Sequence, residues 1–297
     1  MFNELNHLLD VSAVNNSNGD IGSGSLDGKH VLLSDFTKDD GAFLVHHFIS
    51  HFLKAQQVSP SQQPPSCAPP AINVIVVSFA QSFNHFHCVA QKFGLNLRQL
   101  RESGSLVFVE ALKELGDAII HQGRGREADA EEEEQGNTFC SVLRDGDMSQ
   151  LFRRLNFYME DQEGTNRRPV VILDNVSVLL TIGVPLLKLV TFCNTLVASV
   201  CRQKGGTLVT HLILNDEDEQ DRMLLKHLIY SCDCHLQVTP LSTGHSNDVH
   251  GELIRSTEQP AREINVQVAE HSTDTCTLNV VFSGIFSVTH SVTRLTL

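Results

Sequence analysis

The sequence predicts an α/β fold, a doubly wound and mainly parallel sheet with antiparallel C-terminal strands. Three observations predict it. Five short apolar runs, rich in β-branched residues, alternate with helical patterns along the first two thirds of the chain. These runs are apolar at nearly every position instead of every second one, as strands buried on both faces of a parallel sheet are. Beyond residue 235 the strands crowd together with no helix between them, which is the pattern of hairpins.

Residues 1–10 read as a short amphipathic helix through Phe2, Leu5, Leu8 and Leu9. Residues 12–28, dominated by Asn, Ser and Gly, read as a flexible tether, so the main domain is expected over 29–297. His30 to Asp35 is the first strand. Leu44, Phe48, Phe52 and Ala55 then recur at helical spacing over 41–55. A Pro-, Ser- and Gln-rich stretch near 56–71 reads as a disordered insert. Asn73 to Phe79 is a strand, Asn84 to Phe93 a helix and Ser105 to Glu110 a strand. A helix follows, then an acidic insert near 121–146 that also reads as disordered, then a helix over about 148–160.

Val170 to Asp174 is the fourth strand. Leu186, Val190, Cys193, Val197 and Val200 form a helical stripe; Pro185 suits its first turn, Arg202 and Lys204 its last, and Gly205-Gly206 stops it. Thr207 to Leu214 is the fifth strand. Leu236 to Leu241, Glu252 to Arg255, Ile264 to Glu270 and Cys276 to Phe282 are expected to extend the sheet as antiparallel hairpins.

Composition narrows the function classes. At 297 residues with 41% hydrophobic and 19% charged residues, one large core in one domain is expected. The net charge of -13 comes largely from two runs: Glu127, Asp129 and Glu131 to Glu134, and Asp216 to Glu219 with Asp221. Such runs read as solvated loops around a near-neutral body. No basic stripe marks a protein that binds nucleic acid unaided. Eight cysteines without a C-x-x-C pair, and no secretory leader at Met1-Phe2-Asn3-Glu4, point to reduced thiols in a cytosolic or nuclear protein. Val176 to Val200 is apolar enough to suggest a membrane span. Lys188 at its centre, which costs about 2.5–3.5 kcal/mol on insertion scales, argues for a buried helix instead.

The first strand, loop and helix have the layout of a phosphate-binding P-loop, G-x-x-x-x-G-K-[ST]. On that pattern only the second glycine is present, as Gly41. Phe36 stands for the first glycine, Ala42 for the lysine and Phe43 for the magnesium-holding hydroxyl. Asp39 and Asp40 occupy positions where a polyphosphate needs N–H groups and positive charge. Val170 to Asp174 matches the hhhhD form of a metal-coordinating strand. Without the loop's lysine and hydroxyl, Asp174 reads as a carboxylate satisfying N–H groups of the turn Asn175-Val176-Ser177. Glu110 lies where a water-activating carboxylate is often placed, though a capping role suits it better.

His47 and His51 are four apart on one helix but lack a third ligand. Cys232 and Cys234, by the period of two, share a face near His235, and small buried thiols are the commoner outcome. No metal or cofactor is therefore expected. Arg153 with Arg154, and Arg167 with Arg168, read as surface charge alone. Contributed around a ring by several subunits, they would contact a phosphate backbone.

The ordered segments resemble one family. They are Phe2-Asn3-Glu4-Leu5-Asn6, Asp40 to Phe48, Gln81-Ser82-Phe83-Asn84-His85, Gln91-Lys92-Phe93-Gly94, Arg101 to Phe108, Val171 to Asp174 with Ser177 to Leu180, and Asp248-Val249-His250-Gly251. Together they are similar to the sixth subunit of the Elongator complex across nearly the whole chain. That resemblance implies a RecA-like fold without functional Walker motifs. It implies pairing with the fourth and fifth Elongator subunits, two copies of each, in a hexameric ring docked on the larger subunits. It further implies a ring that binds tRNA, releases it in response to nucleotide, and supports modification of the wobble uridine, whose chemistry belongs to another subunit. The Pro-rich and acidic insertions depart from relatives, and the acidic one would repel tRNA near the pore. The alternative is a RecA-like ATPase using Asp174, Glu110 and an unconventional loop.

Overall fold

The computed structural model describes residues 26–36, 41–57, 72–123, 139–160, 167–240, 251–260, 276–281 and 286–295. Nine strands among them form one sheet in the order β3-β2-β4-β5-β1-β6-β7-β9-β8. β1 (His30–Phe36) lies between β5 (Thr207–Leu214) and β6 (Cys234–Thr239); β4 (Arg168–Asp174) lies between β5 and β2 (Ile72–Ser78), with β3 (Leu106–Val109) outermost. These pairings are all parallel. β7 (Gly251–Pro260), β9 (Phe286–Leu295) and β8 (Cys276–Val281) then add on antiparallel. The fold is the expected mainly parallel α/β sheet with antiparallel C-terminal strands.

Strands apolar at every position bury both faces, and the packing shows why. Val31, Leu33, Val76, Ile172 and Val209 face one cluster, while Leu32, Ile75, Leu173 and Leu208 face the other. The first cluster is closed by α1 (Ala42–Gln57), α2 (Phe83–Lys92) and α3 (Leu97–Glu102). The second is closed by α4 (Ala111–Gly123), α5 (Phe139–Asp145), α6 (Ser149–Met159), α7 (Val178–Thr181), α8 (Leu186–Leu196) and α9 (Glu219–Ile229). A π-helical segment, Val197–Gln203, continues α8. Gly206, just beyond it, brings β5 against β4: a Cβ there would stand 2.2 Å from the Pro169 carbonyl oxygen. Among the described residues no helix is long and apolar enough to cross a membrane.

Four expectations need correction or extension. Leu236 to Leu241 does enter an antiparallel pair, β6 with β7, but the other edge of β6 runs parallel to β1, because α9 crosses over before it. The second acidic run is a solvated loop only in part: Asp216 and Glu217 lie in an exposed turn, and the rest opens α9. Asp218 caps that helix by accepting from the Gln220 N–H, Glu219 and Asp221 fill its first turn and Lys226 and His227 its last, an arrangement that complements the helix dipole. Asp221 is buried and accepts the Asn215 N–H at 2.8 Å. The insert near 121–146 is shorter than its composition suggests, since α5 lies inside it with Phe139 fully buried, edge-on to Phe79. The tether stops before residue 26: the Leu26 carbonyl accepts from Thr207 Oγ1 and the Gly28 N–H donates to Gly206. Residues 1–25, the rest of both inserts and the strand Ile264 to Glu270 lie outside the described residues.

Candidate functional site

Four neighbouring strands each carry one polar side chain to the same face of the sheet, towards their carboxyl ends. Ser78 on β2 is level with Asp174 on β4. The register Leu173 to Thr210 sets Asp174 beside His211 on β5, and Leu33 to His211 puts Asp35 of β1 two residues further along. With a side-chain period of two, all four share the face covered by α1 and α2. In open α/β sheets this is where ligands bind.

Here the position is filled by the chain itself. His211 Nδ1 lies 3.1 Å from Asp174 Oδ1 and Nε2 lies 3.3 Å from Asp35 Oδ1, with the three side chains 1%, 4% and 2% exposed. Burial alone would lower the imidazole pKa; the adjoining carboxylates of Asp174 and Asp35 outweigh it and raise it to about 9. His211 is therefore an imidazolium at neutral pH, hydrogen-bonded through Nδ1 to Asp174 and paired by charge alone through Nε2 with Asp35. The Ser78 hydroxyl donates to Asp174 Oδ2 at 2.6 Å and accepts from the Gln81 N–H at 3.0 Å. The Gly41 N–H donates to Asp35 Oδ2 at 2.6 Å. One network thus ties β1, β2, β4, β5 and the entrance to α1.

Gly41 has a local reason to be glycine. A Cβ there would sit 2.7 Å from Asp35 Oδ2, so the close neighbour is a carboxylate and the N–H that a phosphate would need is already donated. Ala42 opens α1 without a cation. Phe43 packs against the apolar cluster on that face, and Phe36 against the opposite one. Asp39 and Asp40 lie outside the described residues.

Asp174 has a structural role, but not the one its turn suggests. It binds Ser78 and His211, while the turn is held by the Val176 N–H donating to the His211 carbonyl at 2.9 Å, with Asn175 in the left-handed region at φ 54°. Glu110 accepts the Phe83 N–H at 3.1 Å and so caps the start of α2. The His47 and His51 rings stack at 6.2 Å, and burial, aided by the charges of His51 and Lys54, lowers His47 to about 4. Cys232 and Cys234 do not share a face. Cys232 precedes β6 and packs in the α8-side cluster; Cys234 packs in the α1-side cluster, and His235 is bonded to Ser34 Oγ at 2.8 Å. Among the described residues, no three His, Cys, Asp or Glu side chains are placed to hold a metal ion.

Of the four arginines, Arg154 pairs with Glu114 at 2.7 Å and donates to Tyr158 Oη at 3.1 Å, and Arg168 pairs with Asp27. Arg167 is half-buried and Arg153 is exposed on α6. His211 is the residue that sequence reasoning misses. Its signal is the single ionisable side chain of a central strand, where burial demands a partner.

The chain matches the family described as Elongation complex protein 6 over residues 2–271. It is 35% identical to Elongator complex protein 6 of Xenopus laevis over 256 residues, 85% of this chain and 84% of the relative. Identity to the Homo sapiens protein of that name is 34% over 269 residues, covering 88% and 89%. For the Rattus norvegicus protein it is 32% over 271 residues, covering 89% and 90%. Among solved structures, the flagellar accessory protein FlaH from Methanocaldococcus jannaschii aligns over 79% of each chain, with a TM-score of 0.46 and 12% identity.

Proposed function

This chain belongs to the Elongation complex protein 6 family, and on that premise we propose that it is a non-catalytic subunit of the Elongator complex. In this reading it forms a hexameric accessory ring with the fourth and fifth subunits, docks with them on the larger subunits, and resides in the cytoplasm and nucleus. The ring holds tRNA for modification of its wobble uridine, and the chemistry is done elsewhere. The observation that carries the non-catalytic part is the buried Asp35–His211–Asp174 network. It uses the carboxylate a metal would need and the N–H a phosphate would need, and it supplies its own cation. Mixing the purified chain with the two partner subunits is expected to give a hexamer by multi-angle light scattering. A chain that remains monomeric in that mixture defeats the ring reading.

The alternative, an ATPase in its own right, requires Asp174 to leave both His211 and Ser78 before it can reach a metal. Titration calorimetry of the isolated chain with ATP and magnesium is expected to show no heat of binding. Micromolar affinity that disappears in Asp174→Ala would establish the ATPase instead. Contact with tRNA belongs to the assembled ring in this reading. Arg153 is the strongest candidate among the four arginines, because Arg154 and Arg168 already hold intrachain carboxylates.

A further inference from the structure

Between Asp40 and Glu102 the sequence contains no aspartate or glutamate, although the chain carries 35 of them in 297 residues. The charged residues of this run are Lys54, Lys92, Arg98 and Arg101. It supplies α1, β2, α2 and α3, so the helices on one face of the sheet hold no carboxylate before the last residue of α3. The fold then sorts the run. Phe83, Phe86, His87 and Ala90 of α2 and Leu97 of α3 are buried. Asn84, His85, Gln91, Lys92, Arg98 and Arg101 are exposed. Both arginines are held in place by neutral groups and keep their charge. Arg98 Nη2 donates to Asn84 Oδ1 at 3.3 Å, and the Arg101 guanidinium lies 5.0 Å from the centre of the Phe83 ring. His85 and Lys92 are seven residues apart on one line of α2, about 10 Å.

Among the described residues no carboxylate lies within ion-pair distance of Lys92, Arg98 or Arg101, whereas Arg144, Arg154 and Arg168 are paired with Asp145, Glu114 and Asp27. Two carboxylates border the face: Glu110, which accepts the Phe83 N–H, and Glu102, exposed beside Arg101. The surface also lacks what a protein partner grips. None of the large apolar side chains exposed among the described residues belongs to α2 or α3. Protein interfaces gather aromatic and aliphatic anchors at their centre, while nucleic-acid interfaces are polar and cationic. We propose that the α2–α3 face binds a nucleic-acid phosphate backbone. Lys92, Arg98 and Arg101 meet phosphates, and Asn84, His85 and Gln91 add hydrogen bonds. That the nucleic acid is tRNA rests on the reading above; which surface meets it does not. This is a second surface, across the sheet from Arg153. Three cations in one copy hold RNA weakly, and two copies in one ring strengthen the contact.

The test titrates a fluorescent tRNA transcript with the assembled ring, verified by light scattering, or with the chain alone if no ring forms. Arg98→Glu with Arg101→Glu is expected to weaken binding at least tenfold. It should also flatten the slope of log affinity against log salt by about 1.5. Arg222→Glu with Lys226→Glu makes the same change of net charge on α9, across the sheet, and should stay within twofold. Arg98→Lys with Arg101→Lys should retain most of the affinity. Photoreactive benzoylphenylalanine in place of Gln91, in the otherwise unchanged protein, should cross-link to tRNA; this probe decides the matter if the reversed pair fails to assemble. Equal loss in both reversed pairs, or loss in neither, overturns the proposal and leaves the ring and its tRNA standing. A Gln91 probe that cross-links a partner subunit and no tRNA overturns it too, and makes the face a protein interface. A ring that forms but binds no tRNA defeats the tRNA reading and this proposal together.

Discussion

His211→Leu is expected to lower the unfolding free energy by about 3–5 kcal/mol. Removing one partner of a buried ion pair leaves the other charge uncompensated, and here two carboxylates, Asp35 and Asp174, are left in a dry site. Urea unfolding measures it: the midpoint should fall while the slope with denaturant stays unchanged. The charge argument makes a second demand. Adding Asp35→Asn and Asp174→Asn to His211→Leu should recover part of the loss, because apolar or neutral replacement of a whole buried ion cluster is often tolerated. If His211→Leu costs less than about 1 kcal/mol, comparable to a lost neutral hydrogen bond, the network is not the charged lock described above.

Stability should also depend on pH in both directions, for opposite reasons. The folded pKa of His211, about 9, lies above the ordinary 6.5. Its contribution is therefore fully present below pH 6.5 and is lost as pH rises through 9. His30 and His47 run the other way. Burial is the main cause in both, and each is lowered from 6.5 to about 4. What they contribute is fully present above pH 6.5 and is lost as pH falls towards 4. Each histidine accounts for roughly 3 kcal/mol across its window at about 1.4 kcal/mol per pH interval. Unfolding free energies measured across the range should trace a dome centred near pH 6.5. In His211→Leu the alkaline limb should be reduced while the acid limb remains; a wild-type profile flat from 6.5 to 9 would contradict the assignment.

Much of the fold is legible because burial on both faces leaves a mark in each strand separately. Val74 to Val77 or Val170 to Leu173 need no knowledge of their neighbours to be read as interior strands. The elements that escape are those whose signals are polar and local. α9 hides behind its acidic start, where Glu219 and Asp221 complement a helix dipole but look like a solvated run. α3 depends on Asn96 accepting from the Gln99 N–H, and α5 on burial of Phe139. The damaged loop at Phe36 to Phe43 is legible as a damaged loop. What replaces it is not, because Asp35, Asp174 and His211 are brought together only by the order of parallel strands. Cys232 and Cys234 fail in the same way: their alternation assumes a strand that begins only at Cys234.

The imidazolium between Asp35 and Asp174 also bears on timing. A soluble cation or nucleotide occupies its site according to its concentration, and lends stability only to that extent. A cation carried on β5 has no dissociation constant and no dilution. This part of the molecule therefore keeps one shape whether cellular energy is abundant or scarce. Such a component behaves as a fixed bearing and not as a clock.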